Sequence, residues 1–300
     1  MDFLEGLREA IAEFVRSGLP EPHSSLLLGM ILGIKSGFPP DFYEALRVTG
    51  TLHVVVVSGF NITVITNTLA RALVFIPLRA RVFVTLVFVT AFVLLVGPNP
   101  PVVRAALMGS IALIGTILGR QSDALRAFLL AVLAMLIFKP SWAGELSFQL
   151  SFLATLGLIL VLPMFDRIVP GKGFLRADFL TTISAQILVW PLLAYRFGAV
   201  SVLSPVVNAL ILWTVPIITY IGLATATIGL VIRSIANLIL VPARVFLDYF
   251  IWIVGRFSAL KFGYFEISPF SFLALLLYFG VLGGGLWFLY QGSIGKQLKN

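Results

Sequence analysis

Of 300 residues, 59% are hydrophobic and only 11% charged, and the mean hydropathy is +1.05. A chain so poor in charge cannot cover a water-facing surface, which excludes an ordinary soluble domain and points to a polytopic membrane protein. Cysteine is absent and histidine occurs twice, at His23 and His53, so disulfides and thiolate metal sites are excluded and an imidazole-rich zinc centre is not expected; the net charge of +8 is modest for a polyanion binder, and much of it is expected in cytoplasmic loops.

The first residues, MDFLEGLREAIAEFVRSGL, lack the basic lead and apolar core of a signal peptide. Leu4, Leu7, Ile11, Phe14 and Val15 instead recur on one stripe among charges, which predicts an amphipathic interfacial helix within residues 1–22. After Pro20 and Pro22, SSLLLGMILGI runs for only 11 residues before Lys35, Gly37 and the Pro39-Pro40 pair. That is too short for about 30 Å of hydrocarbon. It predicts a re-entrant or interfacial helix near residues 24–34, with Gly29 and Gly33 permitting close packing.

Candidate spans follow at 52–70, 82–97, 102–118, 124–138, 145–163, 179–196, 203–232, 235–255 and 270–290. The seventh is long, and Pro216 stands where it would break it. The predicted fold is all-α, a transmembrane helical bundle of about nine to eleven membrane segments. It forms a single domain over residues 23–295, with a short tail over 296–300. If 203–232 crosses once, Arg79, Arg81, Arg120, Arg126, Arg167, Lys172, Arg176, Arg233, Lys296 and Lys299 share one side, and the positive-inside rule places residues 1–50 outside. If Pro216 divides it into two spans, the last part of the topology inverts and the charge count no longer decides.

Within this apolar frame, TGTLHVVVVSGFNI (residues 49–62) sets His53, Ser58 and Asn61 in a run of Val and Phe. At about 100° per residue of a regular helix the three line one broad face. That face points into the bundle, either to do chemistry or to supply interhelical hydrogen bonds. Ser58-Gly59 also offers a place to interrupt the helix and free a carbonyl, as broken helices do at transport sites.

Arg104 follows the GPNPP run (residues 97–101) by three residues and begins an apolar span. Its guanidinium either faces in, where it would bind phosphate, or snorkels out. Glu145 and Gln149, four apart, share a face that Phe152 continues toward the membrane centre. Glu145 alone reads as an interfacial charge; with Gln149 and Phe152 it forms a pore-like edge able to stack on or hydrogen-bond unpaired bases. Gln186 precedes Trp190-Pro191 and Asn208 follows Ser204-Pro205. These amides either serve function or satisfy backbone opened by proline.

GMILGIKS (residues 29–36) is near a phosphate loop in letters, but Gly and Lys are not adjacent before Ser as that loop requires, so nucleotide hydrolysis is not expected. A hydrolase built on Ser58 and His53 is a remote alternative. Five residues along a regular helix hold the two apart, and GFNI lacks the nucleophile-elbow pattern.

Taken in order, TGTLHVVVVSGFNI, PPVVRAALM and ELSFQLSFLATLGL resemble the ComEC family of competence proteins. SLLLGMILGIKSGFPPDFYEALRVTG is similar to the family's lead-in, and SAQILVWPLLAYRFGAVSVLSPVVNALI to its Gln-Pro-Phe-Gly-Asn stretch; together they cover roughly residues 20–230. The resemblance implies a bacterial inner-membrane channel that passes single-stranded DNA into the cytoplasm during natural transformation. It makes His53, Ser58, Gly59, Asn61, Arg104, Glu145, Gln149, Ser151, Gln186 and Asn208 candidate pore or motif positions, with no catalytic residue, metal or cofactor. Implied partners are single-stranded DNA, membrane lipids, a cytoplasmic helicase-like ATPase, an extracytoplasmic DNA receptor and a separate nuclease.

Full-length members of that family commonly add an oligonucleotide-binding-fold domain and a metallo-β-lactamase-like nuclease domain. Neither is expected here: two His cannot supply the nuclease's metal cluster, and no soluble β-rich stretch is evident. The sequence reads as a minimal natural form or an excised channel domain, without enzymatic activity of its own. The rival reading is a secondary transporter of another anionic polymer or small solute, using the same polar midplane.

Overall fold

The computed structural model describes residues 2–34, 36–55, 59–119, 123–229, 232–260, 263–268 and 270–297. The chain opens with α1 (Asp2–Gly18), α2 (His23–Leu32), α3 (Pro40–Val48), α4 (Leu52–Val55), α5 (Gly59–Ala72), α6 (Leu78–Val96) and α7 (Pro100–Ile117). It continues through α8 (Ala124–Phe138), a 3-10 turn (Pro140–Gly144), α9 (Leu146–Leu160), α10 (Leu162–Ile168) and α11 (Phe174–Phe197). The last elements are β1 (Ala199–Ser201), α12 (Ser204–Ile211), α13 (Thr214–Gly229), α14 (Arg233–Ser258), β2 (Tyr264–Glu266) and α15 (Phe272–Gln297). Proline marks several starts: α3, α7 and α12 carry it in their first two positions, where no backbone N–H is needed.

Helix makes up 81% of the structure, so the fold is nearly all-α. The exception is an antiparallel ribbon in which Ala199 pairs with Glu266, Val200 with Phe265 and Ser201 with Tyr264. Each strand is three residues long, too short for any alternation to register in the sequence.

Among the described residues, five helices are long and apolar enough to cross a membrane: Leu78–Val96, Pro100–Ile117, Leu146–Ile168, Phe174–Phe197 and Leu238–Ser258. The protein is a membrane protein. α12 and α13 make a sixth span if taken together across a bend of 49°. The bend falls just before Pro216, which therefore occupies the first turn of α13, where it is tolerated. The segment expected to span at 124–138 is shorter as a helix: α8 has 15 residues, a rise of roughly 22 Å at 1.5 Å per residue.

The largest core is built from α1–α4 and α12–α14, with Leu26, Leu27, Ile218 and Phe250 among its fully buried side chains. α2 is its axis. Every residue from Ser24 to Leu32 is buried, so α2 is apolar all round and wrapped by protein. The stripe of α1 is likewise taken up by protein, since Ile11, Phe14 and Val15 pack into this core. α13 comes close to both through two glycines seven residues apart. A Cβ on Gly222 would stand 2.7 Å from Leu27 Cδ1, and one on Gly229 2.8 Å from Phe14 Cε1. A second core joins α5, α6 and α7, and a third joins α8, the 3-10 turn and α9.

Candidate functional site

A helix end buried in a membrane core leaves carbonyls that no water can reach. At the end of α2, Gly33 adopts φ 68°, and the N–H groups of Gly33 and Ile34 return to the carbonyls of Gly29 and Leu28 at 3.1 and 3.4 Å. Two distant side chains complete the cap: Asn61 Nδ2 donates to Met30 O at 2.9 Å, and Arg8 donates to Leu32 O at 3.2 Å. Asn61 is 1% exposed, so this contact is fully desolvated. Gly29 lets the same helix meet α4, because a Cβ there would collide with the Val55 carbonyl. The expected close packing at Gly29 is thus present, whereas Gly33 serves as the cap.

His53 does not share Asn61's environment: it lies on α4 and is exposed. The common face of His53, Ser58 and Asn61 presupposes one regular helix from 52 to 70, and residues 56–58 in its middle, Ser58 among them, lie outside the described residues.

Arg104 turns inward. Its guanidinium donates from Nη1 to Ser151 O at 2.7 Å, the carbonyl that also accepts from Thr155 Oγ1 at 2.9 Å, and so ties α7 to α9. Nη2 lies against Gly59, where a Cβ would stand 2.7 Å away. Arg104 Nε and Ser151 Oγ are buried without a partner among the described residues. The gap bounded by Pro100, Arg104, Met135, Phe148, Ser151 and Phe152 is too narrow for a water molecule. Gly59, Arg104 and Ser151 are therefore one cluster, and this conformation is closed beside it.

Glu145 and Gln149 do not form the expected shared face. Glu145 caps α9 with an extended backbone and stands 4.0 Å from Lys139, whose ammonium lies over the Trp142 ring. Gln149 turns back to donate to Ala143 O at 3.0 Å. Phe152 packs against Phe128 and Phe148, with ring centroids 5.0 and 6.5 Å away, so its faces are occupied by protein.

Gln186 and Asn208 meet at Ser204. Ser204 Oγ accepts from Gln186 Nε2 at 2.6 Å and from Asn208 Nδ2 at 3.3 Å, and donates to Gly50 O at 3.2 Å. The Gly50 turn is pinned from its other side by Thr49 Oγ1 and Thr51 Oγ1, 2.9 Å apart. Just before it, the Glu44 carboxylate grips Arg47 at 2.9 Å and raises the guanidinium above its usual range. Proline does not explain these amides, since both bond to a serine hydroxyl and neither to opened backbone.

The candidate residues thus separate into an Asn61 cap, a Gly59–Arg104–Ser151 bracket and a Gln186–Ser204–Asn208 knot. Sequence reasoning passed over Ser204 and Gly50, and over Tyr220, whose hydroxyl contacts Thr68 and donates to Val64 O at 3.1 Å. The TGT and SPVVN strings carried Gly50 and Ser204, but only tertiary contact shows that they meet.

A family model described as "Competence protein" matches residues 30–291, which enclose every candidate position from His53 to Asn208. ComE operon protein 3 of Bacillus subtilis (strain 168) is 28% identical over 236 residues, 77% of this chain and 29% of that protein. An uncharacterized protein of Aquifex aeolicus (strain VF5) is 29% identical over 164 residues, 54% of this chain and 39% of that one. The aligned stretches thus span well under half the length of both relatives. No solved structure matches. With most of its length matched by one model, the chain belongs to the Competence protein family.

Proposed function

We propose that this chain takes part in competence DNA uptake, forming the membrane path by which single-stranded DNA enters the cytoplasm across the bacterial inner membrane. The family match over residues 30–291 carries this reading. The inward Arg104 supports it, because a guanidinium held among apolar helices suits passing phosphates, and release requires that its hold be weak. On this reading the short and bent helices count as membrane segments, giving nine to eleven. A helicase-like ATPase, an extracytoplasmic DNA receptor and a separate nuclease supply the force, the capture and the strand degradation.

Since the gap beside Arg104 excludes water, conduction requires α7 and α9 to part and exchange the Ser151 carbonyl for phosphate. Arg104→Met is expected to lower uptake of labelled single-stranded DNA by about tenfold or more, the size of one lost charge-assisted contact. Its melting temperature should change little, because Thr155 still satisfies Ser151 O. Reconstitution of the chain in liposomes, with labelled single- and double-stranded DNA and with or without a driving ATPase, tests the reading. Exclusion of single strands under every condition would sink it.

The bend between α12 and α13 favours a second reading, transport of another anionic solute across a broken helix. Flux of a small anion, unaffected by DNA, in the same liposomes would select it.

A further inference from the structure

The knot at Ser204 holds more oxygen acceptors than its own protons can serve. Ser204 has one hydroxyl proton and three polar neighbours; while it donates to Gly50 O, both amides must present their nitrogens to it. Gln186 Oε1 and Asn208 Oδ1 are then buried without a partner among the described residues. Rotating either amide gives no relief. An amide oxygen turned to Ser204 needs the same single proton, which strips Gly50 O and orphans the amide nitrogen.

Ser201 adds a third oxygen that is buried without a partner among the described residues, and it borders the same turn. A Cβ on Gly50, at φ 68°, would stand 2.8 Å from Ser204 Cβ and 2.9 Å from Ser201 Cβ. Gln186, Ser201, Ser204 and Asn208 are 9%, 7%, 1% and 1% exposed.

Buried polar atoms this costly are not left unmatched. We propose that Gln186, Ser201, Ser204 and Asn208, with the Gly50 carbonyl, bind a small monovalent cation of the sodium class. A cation satisfies several oxygens at once. The ligands are all neutral, which suits a single charge, whereas a divalent ion calls for carboxylates. The carbonyl comes from the turn between α3 and α4, and Asn208 from the short arm of the bent α12–α13 pair; unwound and broken helices are where membrane proteins coordinate sodium.

The test is thermal melting of the full chain in detergent, in sodium, potassium and choline chloride at equal ionic strength. Sodium is expected to raise the melting temperature saturably, by about 5 °C at about a hundred times its dissociation constant, with potassium giving less and choline nothing. Asn208→Asp, which adds a charge to the ligand set, is expected to lower the half-saturating sodium concentration about tenfold, the effect of one favourable charge contact. Asn208→Leu should melt alike in all three salts. Equal melting of the unmodified chain in the three salts would overturn the site and leave its oxygens to a buried water. So would an Asn208→Asp chain with no gain in sodium response. These comparisons stand even where Asn208→Leu does not fold.

Discussion

Gly157→Val is expected to melt well below the parent chain, because position 157 is where α9 lies directly against the backbone of α11. A Cβ there would run into the Ser184 carbonyl oxygen and stand 3.1 Å from Ala185 Cα. Both obstacles are main chain, so no side-chain rotation makes room and the helices must separate. Overpacking of this kind costs about 1–3 kcal/mol, and an immovable neighbour puts it at the upper end. Because α9 also receives Arg104 through Ser151, separation would loosen the α7–α9 bracket as well. Size-exclusion profiles and melting curves in detergent decide the point. Gly157→Ala should lie between the parent chain and Gly157→Val, and parent-like melting of Gly157→Val would show that α9 and α11 do not pack in this way.

The second large effect is expected at Asn61. Asn61→Leu removes the donor to Met30 O and leaves a carbonyl uncapped in the core, a loss of about 1–3 kcal/mol. Asn61→Asp is worse, for it sets a carboxylate against a helix C-terminus whose carbonyls already carry partial negative charge. Hydrogen exchange should show α2 losing protection first in both variants, with Asn61→Asp the less stable. Unchanged protection of α2 would remove Asn61 from the cap.

Much of the helical frame was legible because hydropathy reports burial in lipid directly: α6, α7, α9, α11 and α14 fall within a few residues of their expected spans. Pro216 likewise announced the break in 203–232. The site was less legible, for a physical reason. A sequence shows which residues are polar, but whether Asn61 meets a passing ligand or a carbonyl 31 residues away depends on tertiary contact. Glu145 and Gln149 were misjudged by treating residue 145 as helical; as the extended cap of α9 it leaves the 100° spacing behind. Arg104 admitted two directions on spacing alone, and only the Ser151 carbonyl settles that it points inward.

The burial of α2 on all sides also dictates an order of assembly. The segment leaves the ribosome early, yet α5, which caps it, and α12, α13 and α14, which enclose it, are made later, up to residue 258. At roughly 15 Å it cannot span as a newborn helix. It must wait at the membrane surface, its last carbonyls hydrated, until those later helices offer a dry slot and new donors. Maturation of this protein therefore ends near its beginning, and a chain arrested before α13 should leave residues 23–32 open to labelling from water.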